Sequence, residues 1–160
     1  MRTGLQLVLL SVRTMVKSST KEQGQGMVDV DDKDLQVLIV EDEQLLNEAY
    51  ARVLAAANIA LLRAYNGKEA LDMLKKQTPD IILLDLRMPV MDGIEFLKKL
   101  KPKENLPNGK IIVFSNYDDQ REIDEAFSLG AMHYMLKAWA TPDELVKLIR
   151  EVDNASQPVS

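Results

Sequence analysis

The sequence predicts an α/β domain whose parallel sheet is covered by helices on both faces. Three short apolar runs, each too brief for a helix, are typical of strands that are buried on both faces. These runs are Val37–Val40, Ile81–Leu84 and Ile111–Phe114. Segments with helical periodicity lie between and after them, and strands that alternate with helices favour a parallel sheet with right-handed crossovers.

Two weaker apolar runs complete the predicted set of strands. Ile59–Ala64 lies between the first two runs, and Met132–Leu136 follows the third. Five strands alternating with five helices then account for the middle of the chain. We therefore predict an N-terminal extension over residues 1–34, one domain over 35–153 and a C-terminal tail over 154–160.

Each predicted helix carries apolar residues on one face. In chain order these residues are Leu45, Leu46, Ala49, Val53 and Leu54; Ala70, Leu71 and Leu74; Ile94, Phe96, Leu97 and Leu100; Ile123, Ala126, Phe127 and Leu129; and Leu145, Leu148, Ile149 and Val152. Asn66 and Asp92 each precede a glutamate by three residues, and Thr141 opens a capping box with Pro142 at the first helical position. Gly130 stands where the fourth helix should end.

Composition excludes several classes of chemistry. The chain has no cysteine, which excludes disulfides, thiolate metal sites and a cysteine nucleophile, and which fits a cytoplasmic protein. The single histidine, His133, lies in a predicted strand and is a poor candidate for a phosphorelay histidine. A formal net charge of -5 disfavours direct nucleic-acid binding.

The N-terminal extension gives no indication of membrane contact. Its apolar run at residues 5–12 is too short to span a bilayer, and no small-x-small cleavage site follows it closely. We interpret residues 1–34 as an extension of the domain, with Met27 as an alternative start of the protein.

Polar side chains follow four of the predicted strands at the point where each strand ends. Glu41 and Asp42 follow the first strand, Asp85 the third, Ser115 the fourth and Lys137 the fifth. The carboxyl ends of strands in an open α/β sheet share one edge, so we expect these groups to lie together. Clustered carboxylates repel one another unless a cation lies among them, and oxygen ligands suit Mg²⁺ or Mn²⁺. Asp85 could then act as a nucleophile and form an aspartyl phosphate, while the ammonium and the hydroxyl hold phosphoryl oxygens.

Four sequence blocks carry a resemblance to a known family. The blocks are VLIVEDE from Val37, IILLDLRMPVMDG from Ile81, IIVFS from Ile111 and GAMHYMLK from Gly130. In order and spacing, over residues 35–152, they resemble the receiver domains of bacterial two-component response regulators, and specifically stand-alone receivers like the chemotaxis regulator. The resemblance implies a flavodoxin-like (βα)5 three-layer sandwich with strand order 2-1-3-4-5.

The resemblance also implies a role for each site residue. Asp85 becomes the phosphoacceptor, in a domain that catalyses only its own phosphorylation and slow dephosphorylation. The implied metal ligands are Glu41, Asp42, Asp85 and the backbone carbonyl of Arg87. The implied switch and phosphate contacts are Ser115 as the hydroxyl, Lys137 as the phosphate-binding lysine and Tyr134 as the aromatic switch residue.

The implied partners are proteins. A sensor histidine kinase or a histidine phosphotransfer protein would donate the phosphoryl group. Since no output domain follows Val152 in this sequence, we expect the signal to pass by contact. The implied surface is the face of the fourth helix, fifth strand and fifth helix, which would bind a downstream protein or a second copy in a homodimer.

Two departures from the family pattern leave an alternative open. Ala138 stands where receivers usually have a proline, so we expect a trans peptide bond or a strained loop there. Asn116 stands where most members have a small residue. The alternative is a pseudo-receiver that binds a protein without being phosphorylated.

Two further interpretations concern single residues. A phosphatase of the haloacid-dehalogenase type would need a second aspartate at the position of Arg87, which disfavours that class. Trp139 either anchors a partner or folds back on the fifth helix.

Overall fold

A computed structural model describes residues 35–155 of the chain. One sheet of five parallel strands forms its centre, in the order β2-β1-β3-β4-β5. The strands are β1 Gln36–Val40, β2 Ala60–Ala64, β3 Ile81–Leu84, β4 Lys110–Ser115 and β5 His133–Leu136. The helices are α1 Gln44–Ala56, α2 Gly67–Leu74, α3 Gly93–Leu100, α4 Gln120–Ser128 and α5 Pro142–Asn154. Short helical turns at Pro102–Asn105 and Lys137–Trp139 complete the described elements, and the predicted fold and strand order are confirmed.

The predicted boundaries differ from the observed ones by about one residue. The helix α5 continues to Asn154, one residue beyond the predicted end of the domain. The predicted N-terminal extension lies outside the described residues, as do residues 156–160. Within residues 35–155 no helix combines the length and the apolar character needed to cross a bilayer.

Hydrophobic side chains fill both faces of the sheet, which is why the strands read as continuous apolar runs. Alternate residues point to opposite faces, so Ile39 packs with α1 and α5 whereas Leu38 packs with α2 and α3. On the first face the rings of Tyr50 and Phe114 meet edge to face, with centroids 4.9 Å apart. The sheet is therefore enclosed between two helical layers.

The predicted helix starts are confirmed by their hydrogen bonds. The side chain of Asn66 accepts from the amide of Glu69 at 3.0 Å, and that of Asp92 accepts from the amide of Glu95 at 2.7 Å. Thr141 forms the predicted capping box at the start of α5. Beyond the end of α4, Gly130 has φ 116°, a left-handed conformation that glycine adopts without steric cost.

Two residues on the apolar faces of the predicted helices are exposed. Leu45 has 59% of its surface exposed and Phe127 has 41%. On α1 the buried stripe also includes Asn47 and Tyr50, and with 3.6 residues per turn this stripe places Leu45 at its outer border. Leu45 and Phe127 therefore belong to the apolar faces of the predicted helices but lie outside the buried core.

The strand register brings three strand ends into line. Val40, the last residue of β1, pairs with Ala64 of β2 and with Leu84 of β3. Ser115, the last residue of β4, pairs with Leu136 of β5. The residues that follow these positions therefore meet at one edge of the sheet.

Candidate functional site

Three carboxylates meet at this edge, as the sequence predicts. One side-chain oxygen from each of Glu41, Asp42 and Asp85 lies within 4.8 Å of the others. Glu41 and Asp85 are buried, with 3% and 7% of their surfaces exposed, whereas Asp42 is exposed. The residue that caps α1 is Glu43, and its side chain makes no capping hydrogen bond. Asp42 is thus free of the capping role that acidic residues after a strand often have.

The ammonium group of Lys137 joins the two buried carboxylates. Its Nζ lies 2.5 Å from Oδ2 of Asp85 and also donates to Oε2 of Glu41. Lys137 is itself only 4% exposed. Buried charges are stable only when they are paired and hydrogen-bonded, so both carboxylates depend on the ammonium of Lys137, and that ammonium depends on them.

The surroundings of Glu41 and Lys137 shift the pKa values of both side chains. Burial raises the pKa of the Glu41 carboxyl to about 7, with the Asp85 carboxylate adding to this rise and the Lys137 ammonium opposing it. Burial alone would lower the pKa of Lys137, but the carboxylates of Asp85 and Glu41 outweigh it and raise that pKa. Three carboxyl groups lie close together here and the ammonium of Lys137 contacts two of them, so the excess of acidic groups suits a cation.

Backbone hydrogen bonds fix the direction of the buried carboxylates. The amide of Asp85 donates to the carbonyl of Val40 at 3.0 Å, and the amide of Arg87 donates to Oδ1 of Asp85 at 3.3 Å. Behind Asp85, the start of α3 packs so closely that only glycine fits at Gly93. A Cβ added there would contact the Asp85 carbonyl oxygen and lie 2.8 Å from Cα of Leu86.

Asn47 supports the site and was missed by the sequence analysis. This fully buried side chain donates from Nδ2 to the carbonyls of Glu41 at 2.9 Å and of Ala64 at 3.1 Å. Its Oδ1 accepts from Nε of Arg63 at 2.6 Å. The amide therefore ties α1 to the ends of β1 and β2, beside a site carboxylate. A polar residue next to Leu46, on the inward stripe of α1, was the available signal.

Ser115 and Tyr134 are linked through the backbone of Tyr117. The Oγ of Ser115, which is fully buried, accepts from the amide of Tyr117 at 3.4 Å. The hydroxyl of Tyr134 donates to the carbonyl of Tyr117 at 2.6 Å. The two side chains that the resemblance implies as switch residues therefore contact opposite ends of one residue.

The side chain of Arg87 extends along the surface toward α4. Its guanidinium lies 3.9 Å from the centroid of the Tyr117 ring, and a terminal nitrogen lies 3.2 Å from Oε1 of Glu122. The position that would hold a second aspartate in a phosphatase is thus occupied by a cation with its own partners. The role of the Arg87 carbonyl as a metal ligand stays a prediction.

The loop after Lys137 has the expected trans geometry. All peptide bonds of the described residues are trans, and Lys137–Trp139 forms one turn of 3-10 helix. Trp139 is 81% exposed, so the interpretation that its ring folds back on α5 is wrong. Asn116, the other departure from the family pattern, is also exposed.

The loop between β3 and α3 holds a strained residue. Val90 has φ 70°, a left-handed conformation that is rare for a β-branched side chain. Hydrogen bonds hold the loop on either side: the amide of Met91 donates to the carbonyl of Pro89 at 2.8 Å, and the amide of Gly67 donates to the carbonyl of Met91 at 3.0 Å. The loop that begins at the phosphoacceptor candidate is therefore fastened to the first residue of α2.

Comparison with known families and sequences identifies relatives of this chain. The family model described as the response regulator receiver domain matches residues 37–150. Sporulation initiation phosphotransferase F of Bacillus subtilis is 36% identical over 105 residues, which cover 63% of this chain and 80% of that protein. The transcriptional regulatory protein LnrK of the same organism is 32% identical over 120 residues, 74% of this chain. The chain spans only about half of that regulator, with 53% of its length matched.

Solved structures with the same fold include other receivers. Chemotaxis response regulator CheY4 of Vibrio cholerae matches with a TM-score of 0.67 and 27% identity, over 73% of this chain and 97% of that one. The receiver domain of the putative response regulator NarL from Mycobacterium tuberculosis matches with a TM-score of 0.68 and 29% identity, over 76% and 97% of the two chains.

Proposed function

The chain belongs to the response regulator receiver domain family, and on that premise we propose that it accepts a phosphoryl group on Asp85 within a two-component phosphorelay. The observation that carries the proposal is the buried contact of Lys137 with Asp85 and Glu41 at the edge of the sheet. Lys137 follows a different strand from the two acidic residues that its ammonium contacts. Its positive charge would therefore lie where phosphoryl oxygens bind.

The acidic residues fit a divalent cation. Glu41, Asp42 and Asp85 offer hard oxygen ligands whose donor atoms are close enough together to share one ion. Mg²⁺ or Mn²⁺ would be held by these carboxylates and by the backbone carbonyl of Arg87. A bound ion supplies positive charge to the oxygens of the transferred group.

In the phosphoryl transfer, Asp85 is the nucleophile, and Lys137 and Ser115 bind the transferred group. A carboxylate oxygen of Asp85 attacks the phosphorus of a phosphohistidine or of a small acyl phosphate. The new phosphorus–oxygen bond forms as the bond to the donor breaks, and the donor leaves with that electron pair. The ammonium of Lys137 and the hydroxyl of Ser115 then hold oxygens of the aspartyl phosphate.

The hydroxyl of Ser115 would transmit a conformational change from the phosphorylated site to the protein surface. When it turns to the phosphoryl group, it no longer accepts from the amide of Tyr117, so the backbone of Tyr117 is released on its amide side while Tyr134 still holds its carbonyl. This release would change the conformation of the face formed by α4, β5 and α5, where Phe127 and Met132 are exposed. A downstream protein or a second copy would bind there, in the cytoplasm, after a histidine kinase or histidine phosphotransfer protein has donated the group.

The experiment measures intact mass after incubation with acetyl phosphate and Mg²⁺. We expect a phosphoryl adduct on the wild type and none on Asp85→Asn. The matched control is Asp72→Asn, which removes an exposed aspartate on α2 and should keep the adduct. Calorimetric titration with Mg²⁺ provides a second readout that does not depend on phosphorylation, and Asp42→Asn should weaken binding there.

The other outcomes separate the alternatives. A wild type that gains no adduct and does not respond to beryllofluoride would be a pseudo-receiver, and the proposal would be wrong. Continuous turnover of a small phosphate ester would indicate a phosphatase instead.

A further inference from the structure

A groove of about 510 Å³ runs between α2 and α3, outside the site described above. Leu71, Leu74 and Leu106 give it an apolar lining, and the lysines at positions 68, 75 and 99 stand along it. Apolar side chains flanked by ammonium groups are suited to a segment that carries both carboxylates and aliphatic side chains.

The charge of this groove is opposite to that of the whole protein. Its lining contains three lysines and one acidic residue, Asp72, which gives three minus one, or a net charge of +2. The protein as a whole has a formal net charge of -5. Lys75 pairs with Asp72 at 2.6 Å and Lys99 with Glu95 at 2.9 Å, but these pairs are exposed and such pairs exchange readily.

One end of the groove lies beside the start of β1. Thr78 lines the groove. Asp80, two residues further along the chain, forms hydrogen bonds with the first residue of β1. The amide of Gln36 donates to Oδ2 of Asp80 at 3.0 Å, and the amide of Asp80 donates to the carbonyl of Gln36 at 2.9 Å. The chain therefore enters the sheet next to this end of the groove.

We propose that Val28–Asp34, which lies outside the described residues, docks along the groove between α2 and α3. The segment reads VDVDDKD, so it carries four aspartates, one lysine and two valines. Its carboxylates match the lysines of the groove, and its valines match the leucines. Seven extended residues reach at most roughly 25 Å, about twice the ~12 Å length of the eight-residue α2, so the segment can run along the whole helix.

A spin label near the segment tests the proposal in the full chain. The protein has no cysteine, so Met27→Cys provides a single attachment point for a nitroxide. We expect the label to reduce the amide signals of α2 and α3 in NMR spectra and to leave those of α5, on the opposite face, unchanged. The same sample with the nitroxide reduced is the reference.

Charge variants identify the cause of the signal loss. Changing the aspartates at positions 29, 31, 32 and 34 to asparagine should abolish the loss, and so should Lys68→Gln, Lys75→Gln and Lys99→Gln combined. Salt at 1 M, where the screening length is about 3 Å, should weaken it. The control is Lys147→Gln on α5, which is exposed and outside the groove.

Three results would overturn the proposal. The first is a loss of signal spread equally over α2, α3 and α5. The second is a loss on α2 and α3 that survives the aspartate variant in a protein whose sheet signals are unchanged. The third is a loss that appears only on isotope-labelled protein mixed with a spin-labelled second copy, which would make the occupant another molecule.

Discussion

The hydroxyl of Tyr134 and the hydroxyl of Ser115 contact the same residue, Tyr117, from opposite ends. Tyr134 donates to its carbonyl at 2.6 Å, and Ser115 accepts from its amide at 3.4 Å. The position of the segment after β4 is therefore set by one buried side chain and one partly exposed side chain. A change at either hydroxyl is expected to move the backbone of the same residue.

Tyr134→Phe tests this link. The variant loses one hydrogen bond to a backbone carbonyl, so we expect the free energy of unfolding to fall by about 0.5–1.5 kcal/mol in urea denaturation. The control is Tyr65→Phe, whose exposed hydroxyl accepts from the side chain of Arg63 at 3.1 Å and should matter less. Equal losses in the two variants would contradict the role given to Tyr134.

Lys137→Met should destabilise the protein in a pH-dependent way. Removing the ammonium leaves the buried carboxylates of Glu41 and Asp85 without a counter-charge, and breaking a buried pair in this way costs about 3–5 kcal/mol. We expect that loss in denaturation at pH 8 without Mg²⁺. It should shrink at pH 5.5, where protonation neutralises Glu41.

A double variant separates charge from packing. Adding Asp85→Asn to Lys137→Met removes one of the uncompensated charges and should recover part of the stability at pH 8. If the loss is the same at both pH values and the double variant recovers nothing, the methionine side chain is badly packed and the electrostatic explanation fails.

Mg²⁺ binding should weaken as the pH falls below 7. Burial raises the pKa of Glu41 to about 7, so protons compete with the ion for this carboxylate near neutral pH. One pH unit below that pKa the competition weakens binding by about tenfold, which calorimetric titration at pH 8 and pH 6 can measure. In Glu41→Gln the affinity should be low at both pH values, and a wild-type affinity that does not change with pH contradicts the prediction.

The same pKa determines how Glu41 contributes to the pH dependence of stability in the metal-free protein. The folded state holds a proton on Glu41 up to about pH 7, whereas the unfolded chain releases it near 4.5. Between these values the folded state binds more protons, so the contribution of Glu41 to stability falls as the pH rises. Denaturation of wild type and Glu41→Gln over this range should show the decline in the wild type alone.

Gly93→Ala should damage both stability and phosphorylation. A Cβ at this position would contact the Asp85 carbonyl and would lie 2.8 Å from Cα of Leu86, so the backbone at Asp85 must shift. Overpacking of this kind costs about 1–3 kcal/mol, and we expect slower phosphorylation by acetyl phosphate in the folded fraction. Glu95→Ala, an exposed change two residues further along α3, is the control and should change stability by no more than about 0.5 kcal/mol.

Asn47→Ala should cost more stability than Arg63→Met. The asparagine change leaves the carbonyl of Glu41 without its side-chain donor and removes one of two donors to the carbonyl of Ala64. The arginine change removes the donor to Oδ1 of Asn47 and an exposed donor to the hydroxyl of Tyr65. Leaving a buried polar group unpaired costs about 1–3 kcal/mol, so we expect about 2 kcal/mol or more for Asn47→Ala. It should also weaken Mg²⁺ binding, because the backbone of Glu41 loses its support, and the reverse order of the two variants would contradict this account.

The fold could be predicted because both faces of the sheet are buried. Val37–Val40, Ile81–Leu84 and Ile111–Phe114 have no polar face, which a surface helix or a half-exposed strand would need. Caps such as Asn66 and Asp92 act through bonds three residues apart, so local sequence is sufficient to identify them. The meeting of Glu41, Asp42, Asp85 and Lys137 followed from the rule that parallel strand ends share an edge.

What sequence reasoning missed depends on contacts between distant segments. Asn47 looks like a surface residue until the carbonyls of Glu41 and Ala64 are placed around it. Leu45 fits the apolar period of α1 but lies at the border of the buried stripe, which only packing defines. The left-handed conformation of Val90 runs against the preference of its side chain and arises from the bonds that hold its loop.

The hydrogen bond that joins the loop between β3 and α3 to α2 makes one side of the site rigid, whereas the opposite side can move. On the side of β3, the hydrogen bond from Gly67 to Met91 leaves little freedom for a rearrangement around Asp85. On the side of β4, the segment 116–119 is exposed, and the two hydroxyls described above are among the groups that hold it. Strain introduced by an added phosphoryl group is therefore expected to relax toward α4. The conformational change that follows phosphorylation is then expected on that side of the molecule.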